Sequence, residues 1–113
     1  MKILLNGIGG FMGNEVVQAA NRGYAGATLV GGIDLLGAVS ADVPCAASFD
    51  EAKALFPAGT ADCLIDFSHH ACTKDLLEYC KAVKIPVVVT SSVSNATLNE
   101  VPVRLLFFLK YDA

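Results

Sequence analysis

Met1-Lys-Ile-Leu-Leu-Asn-Gly7-Ile-Gly9-Gly10-Phe-Met-Gly13 opens the chain, and its reading decides the fold. Lys2–Asn6 is a short apolar run of strand character. It passes directly into glycines, and the glycines pass directly into a helical pattern. A strand, a glycine turn and a helix in that order make a cradle for a pyrophosphate. Gly7 permits the tight turn out of the strand. Gly10 lets the backbone approach phosphates with no side chain between them, and Gly13 lets the helix pack close to the strand. The first helical N–H groups then face the anion, which the positive end of the helix dipole favours. The spacing is G-x-x-G-x-x-G with an additional Gly9, rather than the commoner G-x-G-x-x-G.

Working outward, Met12–Arg22 reads as a helix with Val16, Val17 and Ala20 on its apolar face and Gly23 just past its end. Ala27–Ile33 reads as a second buried strand that ends at Asp34, and residues 35–44 as a loop. Val43–Ala47 reads as a short edge strand. Ser48-Phe-Asp-Glu51 is a capping box, so a short helix begins there and stops before Pro57. Ala61–Phe67 is another strand, Thr73–Val83 a helix burying Leu76, Leu77, Cys80 and Val83, and Pro86–Thr90 a strongly apolar strand. A short helix over Ala96–Glu100 and a strand over Val103–Leu109 complete the series. Near-continuous apolar strands alternating with helices mean right-handed crossovers and a sheet covered on both faces. The expected fold is α/β: a Rossmann-like, doubly wound, mostly parallel sheet in three layers.

Composition agrees with one such domain. The chain has 113 residues, 54% of them hydrophobic and 17% charged, which is a globular rather than a disordered balance. Nine of the ten glycines lie in the first 37 residues, where a nucleotide would sit. The net charge is −3 with no basic run, which argues against nucleic acid and against a polybasic membrane patch. No apolar stretch has the length of a membrane span, and the start lacks the charged and apolar regions of a signal peptide. Cys45, Cys63, Cys72 and Cys80 form no C-x-x-C pair. The expectation is no metal site and reduced, mostly buried thiols in a cytoplasmic protein.

The candidate site residues cluster at the carboxyl ends of the strands, where ligands of this fold class bind. Asp34 stands 21 residues after Gly13, the place of a carboxylate that accepts hydrogen bonds from adenosine ribose hydroxyls. It also repels a 2′-phosphate, and Leu35 beside it offers no cation. NAD(H) is therefore favoured, with NADP(H) as the alternative. Phe67 is placed to pack near adenine or nicotinamide, and Ser68 to bond a phosphate or carboxamide. His69 and His70 read as exposed loop residues. Thr90, Ser91 and Ser92 read either as contacts to the nicotinamide half or as a turn capping a following helix. No catalytic acid, base or nucleophile stands out, and hydride transfer needs none, because the cofactor carries the reactive atom.

Together these residues resemble the amino-terminal half of dihydrodipicolinate reductase (4-hydroxy-tetrahydrodipicolinate reductase). Gly7-Ile-Gly-Gly-Phe-Met-Gly13 is similar to that family's G-x-x-G-x-M-G opening, and Leu64-Ile-Asp-Phe-Ser-His69 to its I-D-F-S strand end. Leu76-Leu-Glu-Tyr-Cys80 and Lys84-Ile-Pro-Val-Val-Val89 are similar to the helix and strand that follow. The resemblance covers roughly residues 1–100. It implies a reductase of lysine and diaminopimelate biosynthesis that reduces a cyclic dicarboxylate imine with NADH or NADPH. Gly7, Ile8, Gly9, Gly10, Phe11 and Met12 then hold the pyrophosphate, Asp34 the ribose, and Thr90, Ser91 and Ser92 the nicotinamide side.

Three departures from the family pattern stand out. Phe11 stands where a basic residue is frequent, Leu35 where NADPH-using members carry Arg, and Thr90-Ser91-Ser92-Val93 where Gly-Thr-Thr-Gly is usual. The family's second domain, with its His-His pair and Lys, is not contained in the 113 residues, and His69-His70 is not that pair. The expectation is a cofactor-binding domain that binds weakly and does not turn over by itself, and that forms a homo-oligomer. The alternatives are another small-substrate dehydrogenase, homoserine- or aspartate-dehydrogenase-like, and a non-catalytic nucleotide-sensing or assembly module.

Overall fold

The computed structural model describes residues 1–36, 42–68, 73–89 and 106–108. The chain order is β1 (Lys2–Asn6), α1 (Phe11–Asn21), β2 (Thr28–Ile33), β3 (Cys45–Ala46), α2 (Phe49–Leu55), β4 (Cys63–Asp66), α3 (Thr73–Val83), β5 (Val87–Val89) and β6 (Leu106–Phe108), with a single 3-10 turn at Tyr24–Gly26 before β2. The strands form one six-stranded sheet in the order β3-β2-β1-β4-β5-β6. Every pairing is parallel, so the sheet is more uniform than the expected mostly parallel one. From β1 the chain winds outward through β2 to β3. It then returns to β4 on the other side of β1 and winds outward again. The direction reverses between β1 and β4, and the carboxyl ends of those two strands flank the crevice where this fold class binds ligands.

The helices form for local reasons. Ser48 caps α2 by accepting the Glu51 N–H at 3.1 Å, and Asp50 and Glu51 lie in its first turn, where negative charge is favoured. α3 places Leu76, Leu77, Cys80 and Val83 in the core as its 3.6-residue spacing predicts, and Tyr79 with them. The Tyr79 hydroxyl donates to the Phe56 carbonyl at 2.8 Å, which ties α3 to the end of α2. Gly23 follows α1 in the left-handed region, at φ 73°.

The main core lies between the sheet and the α2–α3 layer. Leu4, Ile33, Leu64, Val87 and Val89 meet Ala52, Phe56, Leu76, Leu77 and Tyr79 there. Two adjacent glycines let β2 be approached from both sides. A Cβ on Gly31 would stand 2.2 Å from the Phe56 ring, and one on Gly32 would stand 2.5 Å from Ile8 Cδ1. α1 is less deeply seated than its pattern predicts. Gly13 is its buried residue, while Val16, Val17 and Ala20 are only half-buried. The thiols also depart from expectation. Cys80 is buried, but Cys45 and Cys63 are half-buried because β3 is an edge strand and Cys63 begins β4. Cys72, the Ala96–Glu100 helix and the loop centre at 37–41 lie outside the described residues.

Candidate functional site

The glycine turn is built by bonds that leave little of it free. Gly7 takes φ 86°, a left-handed conformation that other residues resist. Its N–H donates to the Ile33 carbonyl at 2.7 Å, and the Ile8 N–H reaches the same oxygen at 3.4 Å. The Gly10 N–H donates to the Gly7 carbonyl at 3.0 Å. The Gly9 N–H donates to Asp34 Oδ2 at 2.8 Å. Gly7, Ile8, Gly9 and Gly10 thus shape the turn with their own N–H groups.

The N–H groups that remain are those of Phe11, Met12 and Gly13, which open α1. Gly10 is the N-cap and has no side chain to cap them, and no turn or loop bond among the described residues takes them. Gly13 is buried, and a Cβ there would stand 2.2 Å from the Gly7 carbonyl oxygen, so the helix starts directly against the turn. A helix end with three open donors, bare of carboxylates in its first turn, fits an anionic diphosphate. Neither Phe11 nor Met12 brings a basic side chain to them, and Phe11 is 80% exposed and Met12 43%. Ile8, expected among the pyrophosphate contacts, instead buries its side chain against Gly32.

Asp34 stands directly after the end of β2. It is nearly buried. Oδ2 accepts from Gly9, and Oδ1 accepts the Leu36 N–H at 3.0 Å. Each oxygen has further lone-pair capacity for a hydroxyl donor. Leu35 and Leu36 beside it are exposed, Leu36 almost completely. A cavity of about 390 Å³ continues from Leu35 between α2 and α3, floored by Phe49 and Tyr79 and rimmed by Asp50, Lys53, Asp75 and Glu78. Its rim carries three carboxylates and one cation among the described residues, a poor setting for an extra phosphate.

On the β4 side, Asn6 and Asp66 end paired strands at the same level. Both are fully buried. Asp66 Oδ1 accepts from Asn6 Nδ2 at 3.0 Å, from the Ser68 N–H at 3.0 Å and from the Ser68 hydroxyl. Burial pushes the Asp66 carboxyl above the ordinary carboxylate range, against the opposing pull of the Ser68 and Asn6 donors. Ser68, expected to face a phosphate or carboxamide, turns both of its donors inward. Phe67 is half-buried, with its N–H on the Asn6 carbonyl at 3.0 Å. The sequence reading places Asp66 in the strand-end motif but gives no role to it or to Asn6. Their signal is a polar residue closing an otherwise apolar strand at the ligand edge. Thr90, Ser91, Ser92, His69 and His70 lie outside the described residues.

Among the described residues no cluster of His, Cys, Asp or Glu is arranged to hold a metal ion, and no helix is long and apolar enough to cross a membrane.

Residues 1–103 match the family model described as dihydrodipicolinate reductase, N-terminus. Among solved structures, the chain is similar to a dipicolinate-bound dihydrodipicolinate reductase from Paenisporosarcina sp. TG-14, with TM-score 0.70 and 16% identity over 88% of this chain. It spans 41% of that reductase. It is similar to RSP, a Rex-family repressor, with TM-score 0.69 and 14% identity over 96% of this chain and 52% of the repressor. It is also similar to the WlbA dehydrogenase from Thermus thermophilus in complex with NAD and UDP-GlcNAcA, with TM-score 0.65 and 12% identity over 96% of this chain and 41% of that one. At these identities the structural likenesses concern the fold. No sequence among the curated proteins matches the chain.

Proposed function

The chain belongs to the dihydrodipicolinate reductase N-terminal family, a family of oxidoreductases, and from that premise we propose that it binds a nicotinamide dinucleotide, NAD(H) in preference to NADP(H), at the edge formed by the glycine turn, Asp34 and the β4 exit. The observation that carries this reading is the open start of α1 beside a carboxylate bonded to the turn. The N–H groups of Phe11, Met12 and Gly13 hold the diphosphate, with Gly7, Ile8, Gly9 and Gly10 shaping the turn beneath it. Asp34 accepts the ribose hydroxyls. Leu35 and the carboxylate-rich rim beyond it disfavour a 2′-phosphate. Phe67 lies at the same edge, and we assign Thr90, Ser91 and Ser92, which follow β5 in the chain, to the nicotinamide half on the family resemblance.

When bound, the reduced cofactor supplies a hydride. The residues of this chain grip and orient it. Reduction of a cyclic dicarboxylate imine, in lysine and diaminopimelate biosynthesis, is the reaction that family membership supports. We assign the proton donor and the substrate carboxylate binders to a second domain, so the cofactor-binding unit by itself binds without turnover. A cytoplasmic location accords with that chemistry. The strand β6 at the sheet edge and the apolar run Leu105–Leu109 in which it lies favour a homo-oligomer through sheet extension.

Thermal unfolding with NADH tests the binding. Ligand at about ten times its dissociation constant adds roughly 1.4 kcal/mol, which raises the midpoint of a domain this size by several degrees. An unchanged midpoint at millimolar NADH and NADPH contradicts the reading and leaves a nucleotide-independent assembly module as the better account.

A further inference from the structure

The dinucleotide reading assigns no part to Asp66, yet Asp66 sits where the two walls of the crevice touch. Asn6 comes immediately before Gly7, and Ser68 immediately after Phe67. A Cβ on Gly7 would stand 2.9 Å from the Phe67 carbonyl carbon and oxygen and 3.1 Å from the Ser68 nitrogen, so the turn and the β4 exit are in backbone contact. One carboxylate oxygen holds both sides, taking Asn6 Nδ2 from the turn side and two donors of Ser68 from the other.

This arrangement costs stability. Asn6 and Asp66 are fully buried, and Asn6 Oδ1 is buried without a hydrogen-bond partner among the described residues. An apolar pair on the same strand positions would avoid both desolvation costs. A polar cluster kept at that cost, at the reversal point of the sheet, is better explained by what it does to the edge than by what it adds to the core.

We propose that Asp66 is a positioning residue for the dinucleotide site, fixing the β4 exit loop against the glycine turn through Asn6 and Ser68. It rests on the dinucleotide-binding reading and deepens it. The network acts on the nicotinamide half of the cofactor, with that half's own phosphate, because it lies across β1 from Asp34. The adenosine end, held at β2, is outside its reach.

Calorimetric titration of the whole chain with NADH and with AMP tests this. Asp66→Ala is expected to weaken NADH by about tenfold or more while AMP changes by less than about twofold. Ser68→Ala moves NADH in the same direction by a smaller factor. Asp66→Asn, whose Oδ1 still accepts the three donors, restores NADH to within about threefold of the wild type. A merely structural role would weaken both ligands together. Should Asp66→Ala not fold, Ser68→Ala and Asp66→Asn carry the same comparison. Unchanged NADH affinity in Ser68→Ala and Asp66→Ala, or AMP falling in step with NADH, overturns the proposal. A wild-type chain that binds AMP and NADH not at all overturns the underlying reading and this one with it.

Discussion

Asp34 Oδ2 accepts the Gly9 N–H at 2.8 Å, so the end of β2 is bonded directly to the turn that leaves β1. One carboxylate therefore shapes the turn and, in the proposed reading, also accepts the ribose hydroxyls. Asp34→Ala removes both functions. The bond to a charged acceptor contributes about 1.5–3 kcal/mol, and a loss in that range is expected by chemical denaturation. NADH affinity falls by about tenfold or more, and the margin over NADPH narrows. Retained discrimination between the two cofactors in Asp34→Ala would place the selectivity elsewhere.

Gly13→Ala sets two effects against each other. Helix propensity favours alanine by about 1 kcal/mol. The added methyl would stand 2.2 Å from the Gly7 carbonyl oxygen, and relieving such a clash costs about 1–3 kcal/mol. The clash wins, so the midpoint of thermal unfolding falls. Gly26→Ala is the contrast: it has φ 69° and nothing within 4 Å, so it loses only the left-handed preference, about 1 kcal/mol. A midpoint raised by Gly13→Ala would contradict the close seating of α1 on the turn.

The Asp66 carboxyl is raised above its ordinary value of 3.8 by burial. The folded state therefore holds its proton to higher pH than the unfolded chain. The stability this group contributes is present below the ordinary value and is lost as pH rises through the raised one. Asp66→Asn carries no such titration. Its midpoint should exceed that of the wild type at neutral pH, with the difference shrinking toward about pH 4. A difference independent of pH over that range would mean that Asp66 is charged in the fold at no cost.

Much of this was legible in the sequence, and the parts that were not share a cause. Thr73–Val83 and Lys2–Asn6 were read with their observed bounds because one has a clean 3.6-residue pattern and the other an unbroken apolar run beside glycine. The two-residue edge strand at Cys45–Ala46 was read too long, since no pattern marks where pairing with β2 stops. α1 was read as more deeply buried than it is, because periodicity identifies an apolar face but not how closely it is pressed to the sheet. The Asn6–Asp66–Ser68 cluster was missed because it depends on a pairing between residues 60 apart in the chain. The turn was recognised from its glycines. Which N–H groups stay open depended on Ile33 and Asp34 capturing the others, and no spacing rule encodes that.

The open edge at β6 leads to a prediction about assembly. Its backbone groups on the side away from β5 face no other strand among the described residues, and such an edge pairs readily with another chain. Light scattering across a concentration series is expected to give a dimer or higher oligomer. A monomeric mass throughout would contradict sheet extension and leave the binding site unaffected.

Calorimetric titration of the wild-type chain with NADH and then NADPH tests the central claim most directly. The account predicts saturable binding of NADH at one site per chain, with NADPH weaker by about tenfold, the factor that about 1.4 kcal/mol of repulsion beside Asp34 would produce. No heat from either cofactor at millimolar concentration, or NADPH binding the more tightly, would contradict it.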